Sequence, residues 1–337
     1  MTPRELRALR ASGPARRTYL CLEGSRKKPT DYQITSTALL YYPERGFEVE
    51  TPVWGHYVEH QRGGQLRSQR WDQFEDPAHF TYASYVAERR DQEAFLDRLL
   101  ERPLRPVSSA LQPLVGLLSA LRFPLHGFQM TAAYAGSLAP SGRITIASAF
   151  QAADELRRIQ RLCQWLARSG TAVPQLDALG RELWQQGPAL QPLRQLIERL
   201  LVTYDWGVAL IVLNGIVKPL FDRLWFEQLA ALAERHDDEI LEKILSSLGD
   251  DGRWHEAWFI DFARLALESD PGNAEVLQLR VAEFRPQAAR ALQALLAFEG
   301  LFGDEGNRAY VWRELDGALE AHLGRAGWVS EKQGDAR

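Results

Sequence analysis

An all-α fold is predicted for this chain of 337 residues by two features. From Asp76 onward, apolar residues recur at helical spacing in successive segments divided by Gly, Pro and Asp clusters. No segment shows the strict period-2 alternation with hairpin turns that half-buried strands need.

Residues 1–75 lack sustained periodicity and carry breakers at Pro14, Pro29, Pro43, Pro52 and Gly63-Gly64, which predicts an extended, irregular N-terminal arm. Tyr19, Tyr32, Tyr41, Tyr42, Phe47, Trp54 and Tyr57 are costly to leave in water, so the arm is expected to lie on its own body or on another subunit. Asp76 and Pro77 predict a helix start, the carboxylate capping free N–H groups and the proline suiting the first helical position. Phe80, Ala83, Ala87, Phe95 and Leu99 form the apolar stripe of that helix, with Asp91 the misfit. Residues 107–137 have Arg122 as their only charge, predicting a helix buried on most sides and divided or kinked by Pro113 and Pro124.

Residues 139–143 read as a loop, and residues 144–168 as a helix with Ala149, Ala153, Leu156, Ile159 and Cys163 near one face. Further helices are predicted over 175–186, 189–235, 237–248, 253–268, 273–282 and 285–301, with breaks at Gly187-Pro188, Gly249 and Asp270-Pro271-Gly272. Trp312, Leu315, Leu319 and Leu323 predict one more helix, and the terminal EKQGDAR a disordered tail. The expected organisation is an arm over 1–75, one helical bundle over 76–301 and a C-terminal extension over 302–337.

Composition is that of an ordinary globular protein, 45% hydrophobic and 25% charged. Cys21 and Cys163 form no CxxC pair or disulfide framework, which suggests a reducing, cytoplasmic setting. The longest apolar run, residues 206–221, contains Asn214 and Lys218 and is too short to span a bilayer. Net charge is −4, yet residues 1–45 carry nine basic residues against four acidic ones, leaving a basic leader suited to solvent or to an acidic partner surface. Nucleic acid is not expected as the main partner.

A helical bundle invites a search for a di-metal centre, in which Glu-x-x-His pairs aim at one metal. Three places before His56, His60, His79, His126, His236, His255 and His322 stand Val53, Tyr57, Asp76, Phe123, Ala233, Gly252 and Leu319, and none is Glu. Asp76 before His79 comes nearest, but Asp76 is better used as a cap. GxSxG, GxxxxGK[ST] and GxGxxG are all missing, and Cys163 reads as a buried structural thiol. Asp154, Asp205 and Asn214 read as hydrogen-bonded structural groups within buried helices. Trp165, Trp184, Trp206, Trp225, Trp254 and Trp258 read as core or interface residues. No catalytic, cofactor-binding or metal-ligating residue is therefore assigned.

The order of motifs resembles the β (small hydroxylase) subunit of bacterial multicomponent soluble di-iron monooxygenases, above all the toluene and alkene branch. The likeness is carried by RKKPTDY at 26–32, WDQFEDP at 71–77 with Tyr82 and Tyr85, LHGFQMTAAY at 125–134, Ala139-Pro140, Gln151 and AADELR at 152–157. It continues through RELW at 181–184, YDWGVALIVLNGIVKP at 204–219, RW at 253–254, ALE at 266–268 and FRP at 284–286. The resemblance implies a ferritin-like bundle that has lost its iron ligands, in a hydroxylase built as a dimer of αβγ units. The α subunit would hold the di-iron centre, and the β chain would scaffold α and the dimer through its wrapping arm. An effector protein and an NADH-dependent reductase with FAD and iron–sulfur clusters, in many members with a Rieske-type ferredoxin, would complete a system that oxygenates aromatic or alkene hydrocarbons. Val208, where relatives tend to have an acid, and Pro124, where they have a helix-compatible residue, depart from the pattern. The alternative is a stand-alone helical interaction protein that shares the fold.

Overall fold

The computed structural model describes residues 30–33, 52–103, 107–168, 172–298 and 301–328, and all regular structure among them is helical. Tyr19, Tyr41, Tyr42, Phe47, Cys21, most of the basic leader and the final EKQGDAR lie outside these residues.

The later part of the predicted arm is not irregular. It contains helix α1 (Pro52–Tyr57), which continues as a π-helical turn over Val58–Arg62. The apolar core reaches back to Leu66, Trp71 and Phe74, so the body begins before Asp76. The Trp71 ring lies 5.3 Å from Trp206 and 5.6 Å from Phe262.

Asp76 does not start the next helix. Its carboxylate accepts from the backbone N–H groups of Ala78 (2.9 Å) and Phe80 (3.2 Å), closing a tight turn in which His79 takes a left-handed φ of +49°. Helix α2 (Tyr82–Leu100) starts instead at Thr81, whose hydroxyl accepts from Ser84 N–H while the Ser84 hydroxyl accepts from Thr81 N–H. Its buried face is Tyr85, Arg89, Leu96, Leu99 and Leu100, whereas Ala83, Ala87 and Phe95 of the predicted stripe face outward.

The apolar segment divides as its prolines require. Pro113 stands at the start of α3 (Gln112–Ala120), and Pro124 in the first turn of α4 (Arg122–Leu138), with Leu121 between them. A short turn folds α4 back on α5 (Gly142–Arg168). Here too most of the predicted stripe faces outward: Ala149, Ala153, Leu156 and Cys163 are exposed, Ile159 is half-buried against the core, and the buried face carries Gln151, Asp154, Glu155, Arg157, Arg158 and Arg161 beside Leu162 and Trp165. Helices α6 (Val173–Gln186) and α7 (Gln191–Leu201) follow, each with a proline in its first turn.

The helix predicted over 189–235 is interrupted at 202–205, where Asp205 caps a new one by accepting from Gly207 and Val208 N–H, both at 3.0 Å. That helix, α8, spans 206–235 and holds two π-helical segments, Ile211–Val217 and Arg223–Gln228, on either side of Lys218–Asp222. Helix α9 (Glu239–Ser269) runs through Gly249, and α10 (Gly272–Leu296) runs through Pro286, so the predicted breaks near 249 and 283 are absent. Packing of both faces outweighs the local preference of a single Gly or Pro. Helix α11 (Glu305–Arg325) forms as predicted and buries Leu315, Leu319 and Leu323.

Trp71→Ala should destabilise the purified chain by about 3–5 kcal/mol in denaturant unfolding followed by circular dichroism. Tyr82→Ala, at a site 71% exposed, should stay within about 0.5 kcal/mol. Equal losses would place the boundary of the body after Trp71.

Candidate functional site

The inward faces of α2, α5, α8 and α9 bring eight charged side chains to the centre of the bundle. Arg89, Arg157, Arg158 and Lys218 meet Asp154, Glu155, Asp222 and Asp251, and all eight are buried. The Arg89 guanidinium grips Asp154 with two bonds, Nε to Oδ1 at 2.7 Å and Nη2 to Oδ2 at 2.9 Å. Asp154 also accepts from the Tyr85 hydroxyl at 2.7 Å and from His255 Nε2 at 3.1 Å. Arg157 donates to Asp251 at 2.5 Å and to Glu93 at 2.5 Å. The pairs Arg89/Asp154, Glu93/Arg157 and Asp97/Arg161 advance along α2 and α5 in the same direction, so these two helices run parallel.

A second group closes on itself. Lys218 Nζ lies 2.5 Å from Glu155 Oε1 and 2.9 Å from Asp222 Oδ2. Arg158 donates to Glu155 (3.1 Å), to both Asp222 oxygens (3.0 and 3.2 Å) and to the Leu248 carbonyl. Gly252 makes room for it: a Cβ there would sit 2.6 Å from Asp222 Oδ2 and 3.1 Å from Arg158 Nη2.

Burial alone would raise every carboxyl here, and partners decide the outcome. Burial opposes ionisation of Asp154, yet hydrogen bonds from His255 and Arg89 hold it below the usual carboxylate range. Asp222 is likewise held down by Arg158 and Lys218 against the effect of burial. Asp251 goes the other way, pushed up to about 7 by burial and by the charge of Asp154. His255 is lowered to about 4 by burial and by Lys218, so it is neutral at pH 7.

Beside the network, Gln151 and Asn214 exchange side-chain hydrogen bonds of 2.7 and 3.1 Å. His322 of α11 docks its Nε2 3.0 Å from the Asn214 carbonyl, within the first π-helical segment of α8, and stacks on Phe259. Burial lowers His322 to about 4.

The predicted structural roles of Asp154 and Asn214 hold, whereas Asp205 is a cap rather than a group inside a buried helix. Cys163 is exposed, which corrects its reading as a buried thiol. His79 is exposed and stacks on Tyr32, while Asp76 turns inward to Trp254 Nε1 at 3.2 Å, so this pair does not converge. Trp165, Trp206, Trp225 and Trp258 are buried in the core, and Trp184 and Trp254 lie at its edge. A Glu-x-x-His pattern does not mark the charge network, which has no such pair. The i,i+4 spacing of Asp251 and His255 and the charged run 154–158 were the available signals.

A di-metal bundle needs one Glu from each of two helices and Glu-x-x-His from each of the other two. In this chain α5 offers Glu155-x-x-Arg158, α9 offers Gly252-x-x-His255, α8 offers Lys218 and α2 offers Arg89. These residues do not fit a di-iron centre, because cations fill the space between the donors. Among the described residues no group of three or more His, Cys, Asp and Glu is placed to hold a metal ion.

Asp154→Ala takes from buried Arg89 its two-bonded partner and should cost about 3–5 kcal/mol, whereas Arg194→Ala, in a surface pair with Glu198, should cost about 0–1 kcal/mol. Denaturant unfolding of both variants ranks them. Because His322 has a folded pKa below its unfolded value, the unfolded chain binds more protons between pH 4 and 6.5, and stability is lost as pH falls through that window. His255 acts in the same sense, and Asp251 in the opposite one as pH rises toward 7. His322→Gln should therefore flatten the dependence of unfolding free energy on pH between 4 and 6.5 by at most about 1.4 kcal/mol per pH unit. An unchanged slope would show that His322 is protonated in the folded chain.

A family model described as Methane/Phenol/Alkene Hydroxylase matches residues 44–270. The chain is 30% identical over 301 residues to the hydroxylase component subunit beta of the toluene-4-monooxygenase system of Ectopseudomonas mendocina, covering 83% of this chain and 90% of that protein. It is also 30% identical to the propane 2-monooxygenase hydroxylase small subunit of Rhodococcus jostii (strain RHA1), over 46% of this chain and 45% of that one. A solved structure of toluene 4-monooxygenase with toluene in its resting active site superposes with a TM-score of 0.73 at 29% identity, covering 84% of this chain and 97% of that chain. Phenol hydroxylase from Pseudomonas sp. OX1 shares the fold, with a TM-score of 0.78 at 20% identity over 90% of this chain and 92% of that chain. A match of this extent, on a ferritin-like helical bundle, places the chain in the methane/phenol/alkene hydroxylase family.

Proposed function

We propose that this chain is the non-catalytic β subunit of the hydroxylase of a cytoplasmic multicomponent di-iron monooxygenase. The complex inserts one oxygen atom of O₂ into an aromatic or alkene hydrocarbon with electrons drawn from NADH. The observation that carries the non-catalytic role is the centre of the bundle, where Arg158 and Lys218 stand among the carboxylates. The catalytic di-iron site then belongs to the α subunit, and this chain scaffolds α and the dimer of αβγ units. A reductase with FAD and iron–sulfur clusters, an effector protein and a Rieske-type ferredoxin are the remaining partners of this reading.

The outer faces of α2 and α5 support an obligate partner. Tyr82, Val86, Phe95 and Leu156 are exposed there, large apolar groups that favour cover by another chain. No helix among the described residues is long and apolar enough to cross a membrane.

Coexpression of the tagged chain with its α subunit, followed by affinity purification and iron analysis, tests the assignment. The complex should carry iron, and the separated β chain should retain none in stoichiometric amount. Two tightly bound irons on the isolated β chain would overturn the non-catalytic role. Val86→Asp with Leu156→Asp should sharply lower the α subunit recovered while leaving the helical circular dichroism of this chain intact. A stable monomer that captures no catalytic chain is the behaviour of a stand-alone interaction protein.

A further inference from the structure

We infer that the cleft between α7, the connection at 202–205 and α10 is a recess for a carboxylate side chain carried by an acidic segment of another chain. The inference does not depend on the subunit assignment. The cleft has a volume of about 390 Å³ and is lined by Arg199 of α7, Arg280, Glu283 and Phe284 of α10, and Tyr204 with Asp205 ahead of α8.

Its hydrogen-bond account is one-sided. Both oxygens of Glu283 are taken, Oε1 by Arg199 and Oε2 by Arg280. Asp205 is taken as well: Oδ1 accepts from Gly207 and Val208 N–H, and Oδ2 from Gln65 N–H at 2.7 Å. The Gln65 side-chain oxygen accepts from Arg280 Nη2 at 2.8 Å. The donors are not used up. Arg199 gives one N–H to Glu283, and its Nε and Nη1 meet no acceptor among the described residues. Arg280 Nε is buried and finds none either. Spare guanidinium donors beside carboxylates already engaged call for an acceptor from outside the chain.

Arg199 is also held ready for it. Its guanidinium lies 4.7 Å from the centre of the Phe284 ring and is tied to Glu283, so little side-chain freedom is left to lose on binding. Charge then chooses among anions. Arg199 and Arg280 against Asp205 and Glu283 leave the cleft with no net charge, so a singly charged carboxylate, matched to the flat fork of one arginine, fits better than a dianion. The rim decides between a free anion and a polypeptide. Val202 and Tyr204 line the same cleft and are 59% and 46% exposed. A polypeptide segment covers these apolar groups while its carboxylate meets Arg199, and the centres of protein interfaces are enriched in Tyr and Arg. A free small anion would leave Val202 and Tyr204 in water.

The test is phenylglyoxal modification of the full-length chain, read arginine by arginine by peptide mass spectrometry, with and without a tetraglutamate peptide. Tetraglutamate should slow the modification of Arg199 and leave Arg90, 75% exposed on α2, unaffected. Tetraglutamine should slow neither. Arg199→Gln should lower the affinity for labelled tetraglutamate, measured by fluorescence polarisation, about tenfold or more. Glu283 keeps Arg280 in this variant, so its helical circular dichroism should match that of the parent. The protection measurement is made on the parent chain and stands whatever the variant does to folding. Equal protection of Arg90 and Arg199, or protection of neither, overturns the inference. Inorganic phosphate that protects Arg199 as well as the peptide does makes the recess a free-anion site, which also overturns it. So does an Arg199 as unreactive as the buried Arg158 before any peptide is added, because this chain then fills the recess itself.

Discussion

Four buried cations and four buried carboxylates can leave water only together. Removing any one from solvent without its partners costs several kcal/mol, so each helix carrying a member must present it to the others at hydrogen-bond distance. This requirement sets the rotation of α2 and α5 about their axes and brings α8 and α9 into register with them. Asp154 shows the constraint at its tightest, with a tyrosine, an arginine and a histidine from two other helices all directed at one carboxylate.

Other features of the fold accommodate the network. Gly252 lets the α9 backbone approach Asp222 and Arg158. The two π-helical segments of α8 flank the short stretch that delivers Lys218 and Asp222, and such segments alter which side chains share a face. One of them also presents the Asn214 carbonyl to His322, which ties α11 to the bundle centre. The C-terminal helix is therefore part of the core and not an appendage.

The same constraint accounts for the surface. The inward faces of α2 and α5 are shared between charged residues and apolar ones such as Leu96, Leu99, Leu162 and Trp165, which leaves some large apolar side chains outside. Tyr82 and Val86 on α2 and Leu156 on α5 are exposed, which water does not favour.

The sequence by itself determined the helical class, the division of the apolar segment near Pro113 and Pro124, the helix around Leu315 and Leu319, and the want of Glu three places before any histidine. These follow from backbone chemistry and spacing, which act locally. It did not determine which way α2 and α5 face. Their apolar stripes, Ala83 with Ala87 and Ala149 with Ala153, suggested the reverse of what the fold adopts, because a charge read alone belongs in water. Arg89 becomes a core residue only through Asp154 and Asp251, far along the chain on other helices. Likewise Gly249 and Pro286 end no helix, since burial along α9 and α10 exceeds the local cost of either residue. Tertiary structure decided these points because the energy of a buried ion pair or a packed face exists only once distant segments meet.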